Sequence, residues 1–321
     1  MKVYFAPLEG ITGYLFRQTY QEFFGGIDRY FTPFLAPNQS GGLRTREVTD
    51  IQPENNRGIV LIPQILTNHA PAFLKTAQWL AELGYAEVNL NLGCPSGTVT
   101  AKGKGAGFLA HPDELDRFFD EVFAKCEGIS VKTRLGVHEA SEFDKLLEIY
   151  NRYPITELTI HPRVRQDFYK GKVRESDFAA ALPRCSMPVC YNGDLITERD
   201  VSVVSERYPD LPAVMIGRAL IADSSLVMRL TGGKAADAKM LETFHDTLFV
   251  RYCEAFGDSR IAMLRMKEIW FYHLNLFENS EKTGKAIKKA KNAAEFQAAA
   301  AAVFRDCRVR ANAVPLWFKP A

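Results

Sequence analysis

Residues 130–161 read SVKTRLGVHEASEFDKLLEIYNRYPITELTIH, and the fold is decided in them. Two short runs, Ser130–Arg134 and Glu157–His161, have the residue types of strands. Between them, Glu142–Tyr153 repeats its apolar residues at three- and four-residue spacing, which turns one face of a helix toward a core. A strand, a helix and a second strand in that order imply parallel pairing, because only a crossover of this length returns the chain in the same direction.

The same unit recurs on both sides. Val3–Ala6, Arg29–Phe31, Leu61–Ile65, Glu87–Leu90, Val189–Asn192 and Ala213–Ile216 complete a set of eight candidate strands. Ala70–Leu83, His111–Cys126 and Glu198–Tyr208 are further helices; Pro112 suits a first turn and Gly84 a helix end. Eight such units predict an α/β chain folded as a closed (β/α)8 barrel of the TIM type. An open doubly wound sheet would call for a glycine-rich first turn, and Pro7-Leu8-Glu9 stands there instead. Past Gly232-Gly233 the pattern changes to Ala238–Phe256, Ser259–Asn275 and Ala293–Arg305, all helical. The expected division is a barrel over residues 1–235 and an all-α helical bundle over 236–321.

Composition narrows the class. A chain of 321 residues that is 47% hydrophobic and 24% charged can bury a sizeable core, which argues against disorder. No run approaches the ~18 apolar residues of a membrane span, and the start, MKVYFAPLEG, lacks the form of a signal peptide, so a cytoplasmic protein is expected. Six cysteines form no C-x-x-C pair and no metal-ligand spacing, so no metal is expected. The net charge of +2 is unevenly spread: residues 236–321 carry 14 Lys or Arg against 10 Asp or Glu, and the first 235 carry 26 against 28. A basic tail suits a polyanionic partner or a plain solvated helix face. The same two readings apply to Lys285, Lys288, Lys289 and Lys291.

Barrel enzymes work at the C-terminal ends of their strands. Here those ends supply Pro7-Leu8-Glu9, Gln64, Asn91 with Cys94, Lys132 with Arg134, His161 with Arg163, Asn192-Gly193-Asp194 and Gly217-Arg218. An unpaired charge is costly inside an apolar run, so Lys132 and His161 point to a site. Cys94 sits between Gly93 and Pro95 just past a strand. A thiol of ordinary pKa is mostly protonated at neutral pH and can serve as a general acid. Lys132 can stabilise negative charge on an electron-rich ring. Gly193 and Gly217 let backbone N–H groups approach a phosphate, which Arg218 can pair. Gly103, Gly105 and Gly107 do not complete a dinucleotide fingerprint, because Phe108 follows; they suggest a mobile lid whose Lys102 and Lys104 meet an anion. In the tail, Arg265 and Lys267 are the candidates for contact with nucleic acid, and Trp270 is assigned to packing.

Together these stretches resemble the bacterial tRNA-dihydrouridine synthases across nearly the whole chain. The resemblance rests on APLEG, NLNLGCPSGTVTAKGKGAGFL, VKTRLG, LTIHPRVRQDFYKG, YNGDL and VMIGRAL. One departure is Pro162 after His161, where the family pattern has glycine. The resemblance implies a barrel holding FMN and a helical domain that helps to bind tRNA, with no membrane and no obligate protein partner. It implies FMN contacts from Pro7, Leu8, Glu9, Gln64, Lys132, His161, Asn192, Gly193, Asp194, Gly217 and Arg218. Asn91, Lys102, Arg134, Arg163, Arg165, Tyr169, Arg265 and Lys267 would contact the RNA. NADPH would reduce FMN, hydride would pass to uracil C6, and Cys94 would protonate C5. Two alternatives stand beside this reading: an FMN-dependent reductase of small molecules, of the dihydroorotate dehydrogenase type, and a tRNA-binding barrel without catalysis.

Overall fold

The computed structural model describes residues 1–316. Nine strands form one parallel sheet: β1 (Lys2–Phe5), β2 (Arg29–Phe31), β3 (Leu61–Ile62), β4 (Gln64–Ile65), β5 (Val88–Leu92), β6 (Ile129–Gly136), β7 (Leu158–Val164), β8 (Val189–Tyr191) and β9 (Ala213–Ile216). The ladder runs β3-β2-β1-β9-β8-β7-β6-β5-β4. Its two ends, β3 and β4, are halves of one run broken at Pro63, so the ladder closes on itself as an eight-stranded barrel. Proline has no N–H to give the ladder, and the gap is bridged locally. The Thr32 hydroxyl accepts the Gln64 N–H at 2.9 Å, and the Pro63 carbonyl accepts the Asn89 N–H at 2.8 Å.

The strand set expected from the sequence is present, with shifted ends. β6 and β7 run further than expected, out through the polar motifs to Gly136 and Val164. β7 passes through Pro162 without a break, and the Pro162 carbonyl accepts the Arg174 N–H at 2.7 Å. The helices Tyr14–Phe23, Glu175–Ala181 and Glu281–Lys289 were not read from the sequence. The first of these is rich in aromatic residues, and its packing outweighs their weak helix preference.

Two layers fill the barrel. The lower one is apolar, made of Tyr4, Phe31, Ile62, Cys190, Ala213 and Met215. It is closed from below by Tyr4, whose hydroxyl donates to Glu157 Oε2 at 2.9 Å, and by Arg29, which lies over the Tyr4 ring and pairs with Glu87 at 3.1 Å. The upper layer is polar and opens at the C-terminal ends of the strands.

Between residues 238 and 306 the chain is mainly helical: Ala238–Phe256, Ser259–His273, Glu281–Lys289 and Ala293–Asp306. The caps explain the boundaries. Asp237 accepts the Met240 N–H at 2.8 Å, Asn292 accepts the Glu295 N–H at 2.9 Å, and Gly257 ends the first helix in the left-handed conformation. Helix Ala238–Phe256 packs on the barrel helix Tyr14–Phe23. Phe244 meets Phe16, Phe23 and Phe24 with ring centroids 6.1, 5.7 and 5.0 Å apart, and Arg251 reaches Glu22 at 2.6 Å.

Candidate active site

The upper polar layer opens into a cavity of about 640 Å³. It is lined by Pro7, Leu8, Glu9, Gln64, Asn91, Cys94, Lys132, Arg134, His161, Tyr169, Asn192, Gly193, Asp194, Gly217 and Arg218. Fifteen of the twenty residues singled out in the sequence therefore share one wall, although they come from seven strand ends.

A run of amides fixes one side. Asn91 Oδ1 accepts the backbone N–H groups of Gly93 at 3.0 Å and Cys94 at 2.9 Å, so its Nδ2 must be the donor to Gln64 Oε1 at 2.6 Å. Gln64 Nε2 then donates to Asn89 Oδ1 at 2.8 Å, and Asn89 Nδ2 to Ser130 Oγ at 3.0 Å. Each orientation dictates the next, back to the backbone that carries Cys94. Arg134 holds the same loop from the other side, its Nε donating to the Gly93 carbonyl at 2.7 Å.

Burial pushes the Cys94 thiol up, against the pull of a Ser96 backbone bond and of Arg134 and Lys132. Burial, with Arg134 beside it, brings Lys132 down to about 7. His161 is held well below its ordinary value by burial and by Arg134, Lys132, Arg163 and Arg218. A guanidinium only donates, so the 3.0 Å contact from Arg163 Nη1 makes His161 Nε2 an acceptor and places the ring proton on Nδ1.

Five of the residues expected to contact RNA are not part of this cavity wall. Arg163 is fully buried and its donors are engaged: Asp194 through both carboxylate oxygens, the Gly171 carbonyl at 2.6 Å and the Lys170 carbonyl at 3.2 Å. It braces the site from behind. Arg165 donates to Thr100 Oγ1 at 3.0 Å, and Lys102 also lies outside the cavity wall. Lys267 donates to the carbonyls of Ala290 at 2.5 Å and Lys288 at 3.3 Å, closing the end of helix Glu281–Lys289. Arg265 reaches the Gly10 carbonyl at 3.4 Å and Glu268 at 3.6 Å, joining the helical half to the loop after β1.

The glycine-rich segment is packed rather than open, contrary to the expected lid. A Cβ on Gly105 would sit 2.9 Å from the Cys94 carbonyl oxygen, and the Ala106 N–H donates to that oxygen at 3.0 Å. The aromatic lining residues that the sequence reading did not assign to the site are Phe34, Phe168, Phe271 and Tyr272. Nothing in their spacing separates them from core aromatics. Tyr169 lies between two cations, with its ring centre 5.2 Å from the Arg134 guanidinium and 4.9 Å from that of Arg218.

The donor set suits an anionic, ring-bearing ligand such as FMN. Lys132, Arg134 and Arg218 line the cavity with only two carboxylates, and those are already tied to arginines: Glu9 to Arg46 at 2.9 Å, Asp194 to Arg163 and to Arg218 at 3.2 Å. A side chain at Gly193 would run into the Tyr191 ring, which keeps that backbone bare beside Arg218. No group of three or more His, Cys, Asp or Glu placed to hold a metal occurs among the described residues.

Known proteins carry related sequences. The chain is 25% identical to the tRNA-dihydrouridine(16) synthase of Cupriavidus necator over 84% of this chain and 89% of that one. It is 24% identical to tRNA-dihydrouridine synthase B of Pasteurella multocida over 75% and 72%. In fold it resembles morphinone reductase, with a TM-score of 0.52 and 13% identity over 74% of this chain and 87% of that one. The old yellow enzyme of Trypanosoma cruzi gives 0.52 and 11% over 72% and 88%. Residues 4–311 match the model of the dihydrouridine synthase (Dus) family, and the chain belongs to that family.

Proposed function

We propose that the protein reduces the C5–C6 double bond of uridine in tRNA, with FMN as its cofactor and NADPH as reductant. The observation that carries this is the placement of a thiol kept protonated by burial, Cys94, in one cavity with Lys132, His161 and Arg218. FMN, when bound, would supply hydride chemistry in that cavity. Asn192, Gly193, Gly217 and Arg218 would hold its ribityl chain and phosphate, and Gln64, Lys132 and His161 would surround its ring. Asp194, itself held by Arg163 from behind, would aim Arg218 there.

Cys94 is the general acid in this reading. It donates its proton to C5, and Arg134 and Lys132 favour the thiolate left behind. Asn91 holds the Cys94 loop and keeps an N–H for the uracil edge, beside Tyr169 and Arg134. The target base must leave its stack to enter. The helical half, over residues 236–321, would grip the RNA backbone. Family membership and the helical half favour this over a small-molecule reductase or a non-catalytic barrel. No helix among the described residues is long and apolar enough to cross a membrane, and we place the protein in the cytoplasm with its substrate.

The test is dihydrouridine formation in unmodified tRNA by the FMN-loaded protein with NADPH. Product is expected; none on a full set of tRNAs overturns the reading.

A further inference from the structure

The turn that carries Tyr169 is built on a residue its geometry disfavours. The Lys170 N–H donates to the Asp167 carbonyl at 2.8 Å, closing a four-residue turn. Phe168 holds the second position at φ 50° and ψ −101°. That is the mirror-image, type II′ form, which normally takes glycine because a Cβ crowds the backbone there. A bulky side chain at positive φ is strained, and such strain persists where something other than stability holds the residue in place.

Burial does not compensate. Phe168 is 43% exposed, lines the active-site cavity, and has the Arg165 guanidinium 5.7 Å from its ring centre. A second phenyl is likewise exposed at this cavity, without backbone strain. Phe271, on helix Ser259–His273, is 57% exposed and lines the same cavity. One ring comes from the barrel and one from the helical half, and the cationic Arg134 and Arg218 share the wall they line.

We propose that Phe168 and Phe271 form a stacking site for the nucleobases that flank the target uridine. This rests on the tRNA reading above and names a subsite within it. Extruding one base deprives its neighbours of a stacking partner. A phenyl face restores that contact without reading the identity of the base, and the Arg165 guanidinium beside Phe168 suits an adjoining phosphate. A continuous strand of RNA is the occupant, because the rings border the cavity its uridine must enter.

The experiment compares the FMN-loaded wild type with Phe168→Gly, Phe168→Leu, Phe168→Tyr and Phe271→Ser. Unmodified tRNA is the probe, and the readouts are its dissociation constant, KM, kcat and the melting temperature. Phe168→Gly is expected to raise Tm by about 2 °C, since the turn relaxes, and to weaken tRNA binding about ten-fold. The loss should appear mainly in KM. Phe168→Leu should bind tRNA as weakly as Phe168→Gly, Phe168→Tyr should bind like the wild type, and Phe271→Ser should also bind more weakly. Unchanged tRNA affinity in both Phe168→Gly and Phe271→Ser overturns the proposal, as does full affinity in Phe168→Leu. A wild type that forms no dihydrouridine, yet loses tRNA affinity on Phe168→Gly, would refute the activity and support the stacking site.

Discussion

In the general-acid role proposed for Cys94, the chain would have to satisfy two demands, a thiol that stays protonated and one whose anion is tolerated after the proton leaves. Burial supplies the first, while Arg134 and Lys132 supply the second. Cys94→Ala is therefore expected to lower dihydrouridine formation about 100-fold or more, with flavin absorbance retained, as single-turnover assays beside a visible spectrum would show. Lys132 gives a pH signature. Its ammonium titrates at about 7 in the folded protein against an ordinary 10.5, so between those values the unfolded chain binds more protons. Stability of the flavin-free protein should rise with pH across that window and lose this contribution below it. Urea midpoints at pH 7 and 9 should separate, and Lys132→Met should reduce the separation. Cys94, Lys132, His161 and Arg218 were legible because polar groups at the ends of apolar strands need a reason to be there. Arg163 and Arg165 shared the same motif, but only the fold shows that Asp194 and Thr100 claim them.

Among the elements, the segment 100–107 departed most from expectation. Its glycines read as freedom, yet Gly105 lies at φ +56° against the backbone of Cys94. Gly105→Ala should displace the acid and lower turnover about ten-fold or more, because small errors of placement are costly in catalysis. Iodoacetamide labelling of Cys94 should change rate in the same variant. Close packing of this kind depends on what approaches from elsewhere in the chain, and local sequence does not record it. Pro63 is the opposite case. A proline inside a strand has a local consequence, and the break between β3 and β4 falls where it stands.

Across the whole molecule, barrel and helical half share a core. Phe244 inserts among Phe16, Phe23 and Phe24, and His273, held down to about 4 by burial, meets the backbone of Ile221 and Ala222. Phe244→Ala is expected to cost ~3 kcal/mol, read as a lower midpoint in one denaturant transition rather than early melting of the helices alone. The change from strand-helix repeats to helices was visible in the residue pattern. The aromatic seam between the two halves was not, because it joins positions more than 200 residues apart.

The sealed floor of the barrel governs traffic. With Tyr4, Glu157, Phe31 and Met215 blocking the lower end, every visitor uses the upper opening. On the proposed reading, a nicotinamide donor and a tRNA would queue for one doorway, and each would vacate before the other enters. Steady-state kinetics with both substrates varied are then expected to give parallel lines in double-reciprocal plots, with excess of either visitor slowing the other.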